Sequence, residues 1–224
     1  MIDFGAYDAL TFDVYGTLID WETGIAAALR RAGASGTDDE LLETFARHEA
    51  ALEAGPYRTY REVLAGALRG VAADLGFEPA DEAAFAGSVG DWPAFEDSAE
   101  ALAALKRRFK LGVITNCDDD LFALSNERLG AEFEWVITAQ QARGYKPRPE
   151  NFTFAFERID VPRERILHVA QSLFHDHVPA KALGMTTVWI DRRHDREGFG
   201  ATPPADAEPD LVVPDMRTFA QLAA

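Results

Sequence analysis

Asp13 closes the short apolar run "ALTFD", and Gly16 and Thr17 follow it in "DVYGTL". An aspartate just past a strand, next to a tight turn and a short hydroxyl residue, can aim an oxygen into a crevice. Ionised and partly desolvated, it is a nucleophile; the plainer alternative is a cap on the following turn. In "ITNCD" (114–118), Thr115 and Asn116 offer a hydroxyl, an amide and loop N–H groups suited to an anion or a developing oxyanion. Simple capping of a helix starting near Asp118 is the alternative. In "GYKPRPENF" (144–152), Pro147 and Pro149 stiffen the loop around Lys146, which can pair as a point charge with a carboxylate or a substrate anion, or merely be solvated. "HVAQSLFHDH" (168–177) starts at a strand end and would bring Gln171, Ser172 and Asp176 to the same crevice. His175 and His177, two residues apart, face different sides of a helix with no further ligand cluster in view, so a metal site there is not expected. Cys117 has no readable base partner and reads as a small packing thiol.

Positioning these residues is the task of alternating elements. Apolar runs at 9–13, 110–115, 134–138, 165–170, 186–190 and 210–213 are near-continuous, as in strands buried on both faces. Helical patterns lie between them at 97–108, 119–129, 149–158 and 178–183. The alternation predicts an α/β fold with a parallel sheet, whose ligands bind beyond the C-terminal strand ends. Residues 20–94 break the pattern: 23–33, 38–55, 59–76 and 80–92 read as helices rich in alanine and leucine, with no strand among them. They are read as a helical cap inserted after the first strand. The polar, Gly- and Pro-rich stretch 192–209 reads as a surface loop.

The 224 residues are 47% hydrophobic, enough for a sizeable core. A formal charge of −16, from 38 acidic against 22 basic residues, argues against nucleic acid and against an anionic membrane as partners. It leaves room for a small-molecule anion held in a local positive pocket. One cysteine permits no internal disulfide. The N-terminal stretch lacks the pattern of a signal peptide, and no apolar stretch has the length of a membrane helix; a cytoplasmic protein is expected.

The four segments in this order resemble the haloacid dehalogenase superfamily over essentially the whole chain. The resemblance implies a doubly wound, Rossmann-like parallel sheet, with a core at 1–19 and 95–224 and a helical cap at 20–94. Most members are Mg²⁺-dependent phosphatases with Asp-x-Asp in the first motif and a Gly-Asp start to the fourth. Tyr15 and Gln171 replace those acids here. Mg²⁺ needs hard oxygen ligands, including carboxylates, so no metal and no other cofactor is expected. "DVYGTL" resembles the (S)-2-haloacid dehalogenase branch, which acts on a short 2-haloalkanoate. By that resemblance Asp13 displaces halide from C2 with inversion, and water hydrolyses the aspartyl ester to an (R)-2-hydroxy acid. Asp176 orients the water and Lys146 keeps Asp13 ionised. Thr17, Thr115, Asn116 and Ser172 supply hydrogen bonds, with Gln171 sharing that work. The family's halide arginine would be Arg47, although gapless matching puts Ala46 there. Tyr15, Trp21 and Phe95 would wall the pocket. Leu173 and Phe152 depart from the family's polar residues. The alternatives are a Mg²⁺-dependent phosphatase of a small metabolite and a non-catalytic binding protein. A homodimer paired through the cap is admitted by analogy alone.

Overall fold

Strands apolar on both faces are stable only if helices cover both sides of the sheet, and helices placed between most of the strands do that. The computed structural model describes residues 2–196, 198 and 200–224. β1 (Ala9–Phe12) is followed by four helices, α1 (Trp21–Ala32), α2 (Asp38–Glu53), α3 (Tyr60–Leu75) and α4 (Glu82–Ala86). Then come α5 (Ser98–Leu105), β2 (Lys110–Thr115), α6 (Asp119–Leu129), β3 (Trp135–Thr138), α7 (Ala139–Ala142) and α8 (Glu150–Phe156). The chain ends with β4 (Ile166–Ala170), α9 (Val178–Ala182), β5 (Thr186–Ile190), β6 (Leu211–Val213) and α10 (Met216–Ala223).

The strands lie in the order β3-β2-β1-β4-β5-β6, every pair parallel. From β1 the chain builds outward to β3, then returns to β4 on the other side of β1. The crevice beyond the C-terminal ends of β1 and β4 is therefore the topological switch point, where ligands of such sheets bind. The parallel, doubly wound sheet read from the sequence is the one observed.

The four-helix insert leaves and re-enters through two strands of chain tied side by side. The Asp20 N–H donates to the Pro93 carbonyl at 2.8 Å and the Phe95 N–H to the Leu18 carbonyl at 3.1 Å. The stretch 80–92, read as one helix, breaks into α4 and a 3₁₀ turn over Ser88–Asp91. Gly87 and Gly90 weaken helix there, and the turn swings Trp92 inward. Trp92 is fully buried and lies over Gly24 of α1, where a Cβ would stand 2.3 Å from the indole Cγ. Its ring meets Tyr15 edge-on, with centroids 5.6 Å apart. One apolar cluster thus runs from Phe12 and Val113 in the sheet through Tyr15 and Trp92 to Ile25, Phe45 and Leu64 in the insert. Among the described residues no helix is long and apolar enough to cross a membrane.

Gly24→Ala should gain a little helix propensity and lose more by displacing Trp92, because the clash is with the root of the ring rather than a flexible end. A net loss of about 1–3 kcal/mol is expected, read as a lower urea midpoint with unchanged slope.

Candidate active site

The turn after β1 carries Asp13 to the switch point. Its N–H still pairs with the Val169 carbonyl of β4 at 3.1 Å, so the residue is fixed as an extension of the sheet. Gly16 then turns the chain with φ of 93°, a left-handed value that favours glycine. The turn returns Thr17 to the carboxylate, where its Oγ1 donates to Asp13 Oδ2 at 2.7 Å. Thr17 is itself aimed by the Gln171 N–H, which donates to its Oγ1 at 2.9 Å.

Lys146 comes from the loop between α7 and α8, and its ammonium is buried. Nζ donates to Asp13 Oδ1 at 2.9 Å, to Asp176 Oδ1 at 2.7 Å and to the Ile114 carbonyl at 2.7 Å. All three protons are thereby used. Asn116 grips the lysine backbone from both sides, accepting from its N–H at 2.8 Å and donating to its carbonyl at 3.0 Å. Asp176 sits in a π-helical turn (Leu173–His177) whose first residues are held by Ser172, with Oγ accepting the His175 N–H at 2.9 Å.

Two partners behind this group escaped the sequence reading. His168 Nε2 is 3.0 Å from Asp176 Oδ1, and His168 Nδ1 is 3.0 Å from Thr11 Oγ1. An ionised carboxylate only accepts, so Nε2 carries the proton and, in the neutral ring, Nδ1 accepts from the threonine hydroxyl. The signal was a polar residue inside each of two apolar runs; only the β1–β4 register, which pairs Thr11 with His168, brings them together.

The charges follow from burial and neighbours. Burial opposes the charge on Asp176, but Lys146 and His168 outweigh it and hold this carboxyl well below the usual range. Burial raises Asp13, with Lys146 countering and Asp176 adding to the rise. Burial opposes the Lys146 charge, yet the two carboxylates win and raise its pKa. Asp13 is therefore the more basic, and so the more nucleophilic, of two carboxylates that share one ammonium. Burial pushes the Cys117 thiol far up, and its Sγ only donates to the Tyr15 hydroxyl at 3.2 Å. It packs, as the sequence suggested.

A cavity of about 30 Å³ opens on this group, room for a water or two as closed here. Asp13, Tyr15, Asn116, Lys146, Ser172 and Asp176 line it, with Trp21 from the start of α1. The Tyr15 hydroxyl points away, to Ser125 Oγ at 3.0 Å. Asp176 Oδ2 is buried in this lining without a hydrogen-bond partner.

Several expected residues stand elsewhere. Arg47 is two-thirds exposed on the outer face of α2, 3.6 Å from Asp74. The reason is helical phase: Phe45 and Glu49 face inward, and a residue two positions from each faces out. Phe95 lies outside the cavity, covered by the Arg192 guanidinium 4.0 Å above its ring. Thr115 is buried at the end of β2 but does not line the cavity, and its hydroxyl has no partner. Gln171 turns its side chain to Thr202 Oγ1 at 3.3 Å and serves through its backbone N–H. Phe152 packs on the His168 ring at 5.1 Å, and Leu173 also stays outside. Asp118 caps α3 rather than α6, accepting the Tyr60 N–H at 2.9 Å and the Arg61 N–H at 3.2 Å.

In place of an arginine, α2 sends two acids into the cavity. Glu49 is 3% and Glu53 6% exposed, and both line it with Tyr60, His175 and Thr202. Tyr60 OH donates to Glu49 Oε1 at 2.7 Å, and Asn116 Nδ2 donates to Glu53 Oε2 at 3.2 Å. Burial pushes Glu49 up to about 7; burial and then Glu49 push Glu53 well above the carboxylate range. Burial also lowers His175 to about 4, leaving it neutral at pH 7. Their inward phase was readable: 42, 45, 49 and 53 form one helical stripe, passed over because glutamate is usually solvated.

A divalent cation does not fit the groups present. Lys146 Nζ already donates to both Asp13 and Asp176, the two carboxylates that would have to hold such an ion. Among the described residues no cluster of three or more His, Cys, Asp or Glu side chains could hold a metal.

A profile described as haloacid dehalogenase-like hydrolase matches residues 7–183. The chain belongs to that family. It is 29% identical to haloacetate dehalogenase H-2 of Moraxella sp. (strain B), over 97% of this chain and 98% of that one. It is also 29% identical to a phosphoglycolate phosphatase of Pseudomonas fluorescens, over 93% of this chain and 76% of that one. Its fold matches the L-2-haloacid dehalogenase of Xanthobacter autotrophicus with chloropropionic acid covalently bound, with a TM-score of 0.81, 23% identity and coverage of 96% and 98%. The Asp13 site lies within the matched segment of this hydrolase.

The two acids of α2 give a pH signature. Glu49, raised from 4.5 in the unfolded chain to about 7, binds its proton more tightly when folded. Stability from this group is full below pH 4.5, lost as pH rises to about 7 and flat above. Glu49→Gln should therefore match the wild type at pH 4.5 and exceed it by on the order of 1–3 kcal/mol above pH 7. Paired denaturation curves across pH read the difference, in which the opposing histidine contributions cancel.

Proposed function

We propose that this hydrolase cleaves the carbon–halogen bond of a short 2-haloacid, without a metal, through an ester on Asp13. The observation that carries the reading is the buried Asp13–Lys146–Asp176 group, in which one ammonium pairs with both carboxylates and burial keeps Asp13 the more basic of the two, suited to attack carbon. A haloacid also needs no divalent ion to neutralise a phosphate dianion. The full-length likeness to haloacetate dehalogenase H-2 supports the same chemistry.

In the first step an Asp13 oxygen forms a bond to C2 from the side opposite the halogen. The carbon–halogen bond breaks, and halide leaves with the electron pair. Inversion turns an (S)-2-haloacid into an (R)-configured ester. Asp13 loses its charge, so Asp176 becomes the sole carboxylate partner of Lys146. In the second step water attacks Cγ of Asp13. The partnerless Asp176 Oδ2 accepts a hydrogen bond from that water and orients it. Its depressed pKa makes it an orienting group more than a strong base. Lys146 on Oδ1 and Thr17 on Oδ2 ensure that either oxygen left as the carbonyl keeps a donor as negative charge develops. The ester C–O bond breaks, the (R)-2-hydroxy acid leaves with one proton of the attacking water, the other proton passes to solvent, and Asp13 is restored as a carboxylate. The closed cavity is smaller than a three-carbon acid, so the insert must yield for substrate to enter.

(S)-2-chloropropionate should release chloride at the same rate with and without EDTA, while p-nitrophenyl phosphate should not be hydrolysed. Nitrophenol release dependent on Mg²⁺, with no chloride, would establish the phosphatase reading instead, and neither signal a binding protein. Asp13→Asn should lower turnover by roughly 10⁴-fold or more, as loss of a covalent nucleophile does, with its circular dichroism unchanged.

A further inference from the structure

The cavity's charges do not suit a simple anion. Its lining holds four carboxyl groups, on Asp13, Asp176, Glu49 and Glu53, and a single cationic side chain, Lys146. That ammonium is spent on Asp13, Asp176 and the Ile114 carbonyl. Glu49 and Glu53, four residues apart on α2, project from one face of the helix. Their hydrogen bonds come from neutral donors, Tyr60 and Asn116, and the ring nitrogen His175 Nε2 is 3.9 Å from Glu53. Independently, Asp176 Oδ2 is buried in the same lining with no partner. A carboxylate or halide entering this space meets no uncommitted cation in the lining. An ammonium meets the carboxyl groups of Glu49 and Glu53, which can accept from it, beside the Asp176 oxygen that orients water in the second step.

We infer that Glu49 and Glu53 are the specificity-determining residues of this site, and that the substrate carries a cationic nitrogen, a primary ammonium, seated against α2. The inference rests on the reading that Asp13 attacks carbon in this cavity, and it names the substrate class: a short halogenated acid bearing an amino group. The groups around the two acids are Tyr60 from α3, Asn116 from the loop after β2, Lys146, and His175 and Asp176 from the π-helical turn. Both acids bind protons tightly in the closed cavity because burial disfavours their charge. An arriving ammonium reverses that preference, so binding expels protons.

Calorimetry on the full chain at pH 7, in two buffers of different ionisation enthalpy, tests this with propylammonium, β-alanine and propionate. Both ammonium ligands should bind with proton release and more tightly than propionate. Glu49→Gln and Glu53→Gln should each weaken them about tenfold, as loss of one charge-assisted hydrogen bond does, and should not weaken propionate. Absence of ammonium binding, tighter binding of propionate, or unchanged ammonium affinity in both folded variants overturns the inference. Binding needs no turnover, so the two readings fail separately. Ammonium binding without chloride release from any 2-chloro acid would fault the reaction. Chloride release from (S)-2-chloropropionate with no ammonium preference would fault the substrate class alone.

Discussion

One buried ammonium holds two carboxylates together, and the rest of the site is arranged around that shortage of positive charge. Isolated burial of either carboxylate would cost several kcal/mol, and removing one member of such a group typically costs about 3–5 kcal/mol. The fold meets the cost with fixed geometry. The Asn116 amide clamps the lysine backbone, the Ile114 carbonyl takes its third proton, and His168, backed by Thr11, supports Asp176. The result leaves the two carboxylates unequal. Asp176 is held ionised by two donors on one oxygen, whereas Asp13 is raised by burial and keeps the more available electron pair.

The insert completes the site and alters its character. Trp92, admitted by Gly24, presses on Tyr15, while Asp118 at the end of the β2 loop caps α3. α2 and α3 are thereby tied to the strand ends, and Glu49, Glu53 and Tyr60 form the wall opposite the nucleophile. A wall of carboxyl groups in a space this small is tolerable only when protonated or met by a cation. That condition links the pH response of the protein to what it binds.

Much of this was legible beforehand because strand-end chemistry is written in short contiguous segments. "DVYGTL", "ITNCD", "GYKP" and the run to Asp176 each carry their residues within a few positions of a strand, and a parallel sheet brings strand ends together whatever the loop lengths. Alternating apolar runs likewise gave the sheet. Contacts set by helix phase and strand register were not legible in that way. Arg47 was chosen for its charge, although its position two residues from Phe45 turns it outward. Glu49 and Glu53 were passed over for theirs, although they share the apolar stripe of α2. Thr11 and His168 lie far apart in sequence and meet only through the β1–β4 pairing. Phe95, Thr115 and Gln171 lie close to the cavity in sequence, but Arg192, burial in β2 and Thr202 respectively occupy their side chains or hold them away.

The central claim is that a carboxylate oxygen of Asp13 bonds to carbon and that water then attacks the resulting ester. A single turnover with excess enzyme in ¹⁸O-water, followed by mass spectrometry of the peptide containing residue 13, tests it directly. The account predicts ¹⁸O in the Asp13 carboxylate and ordinary oxygen in the first-turnover product. Label in the product with none in Asp13 would show that water attacks the substrate itself and would contradict the account.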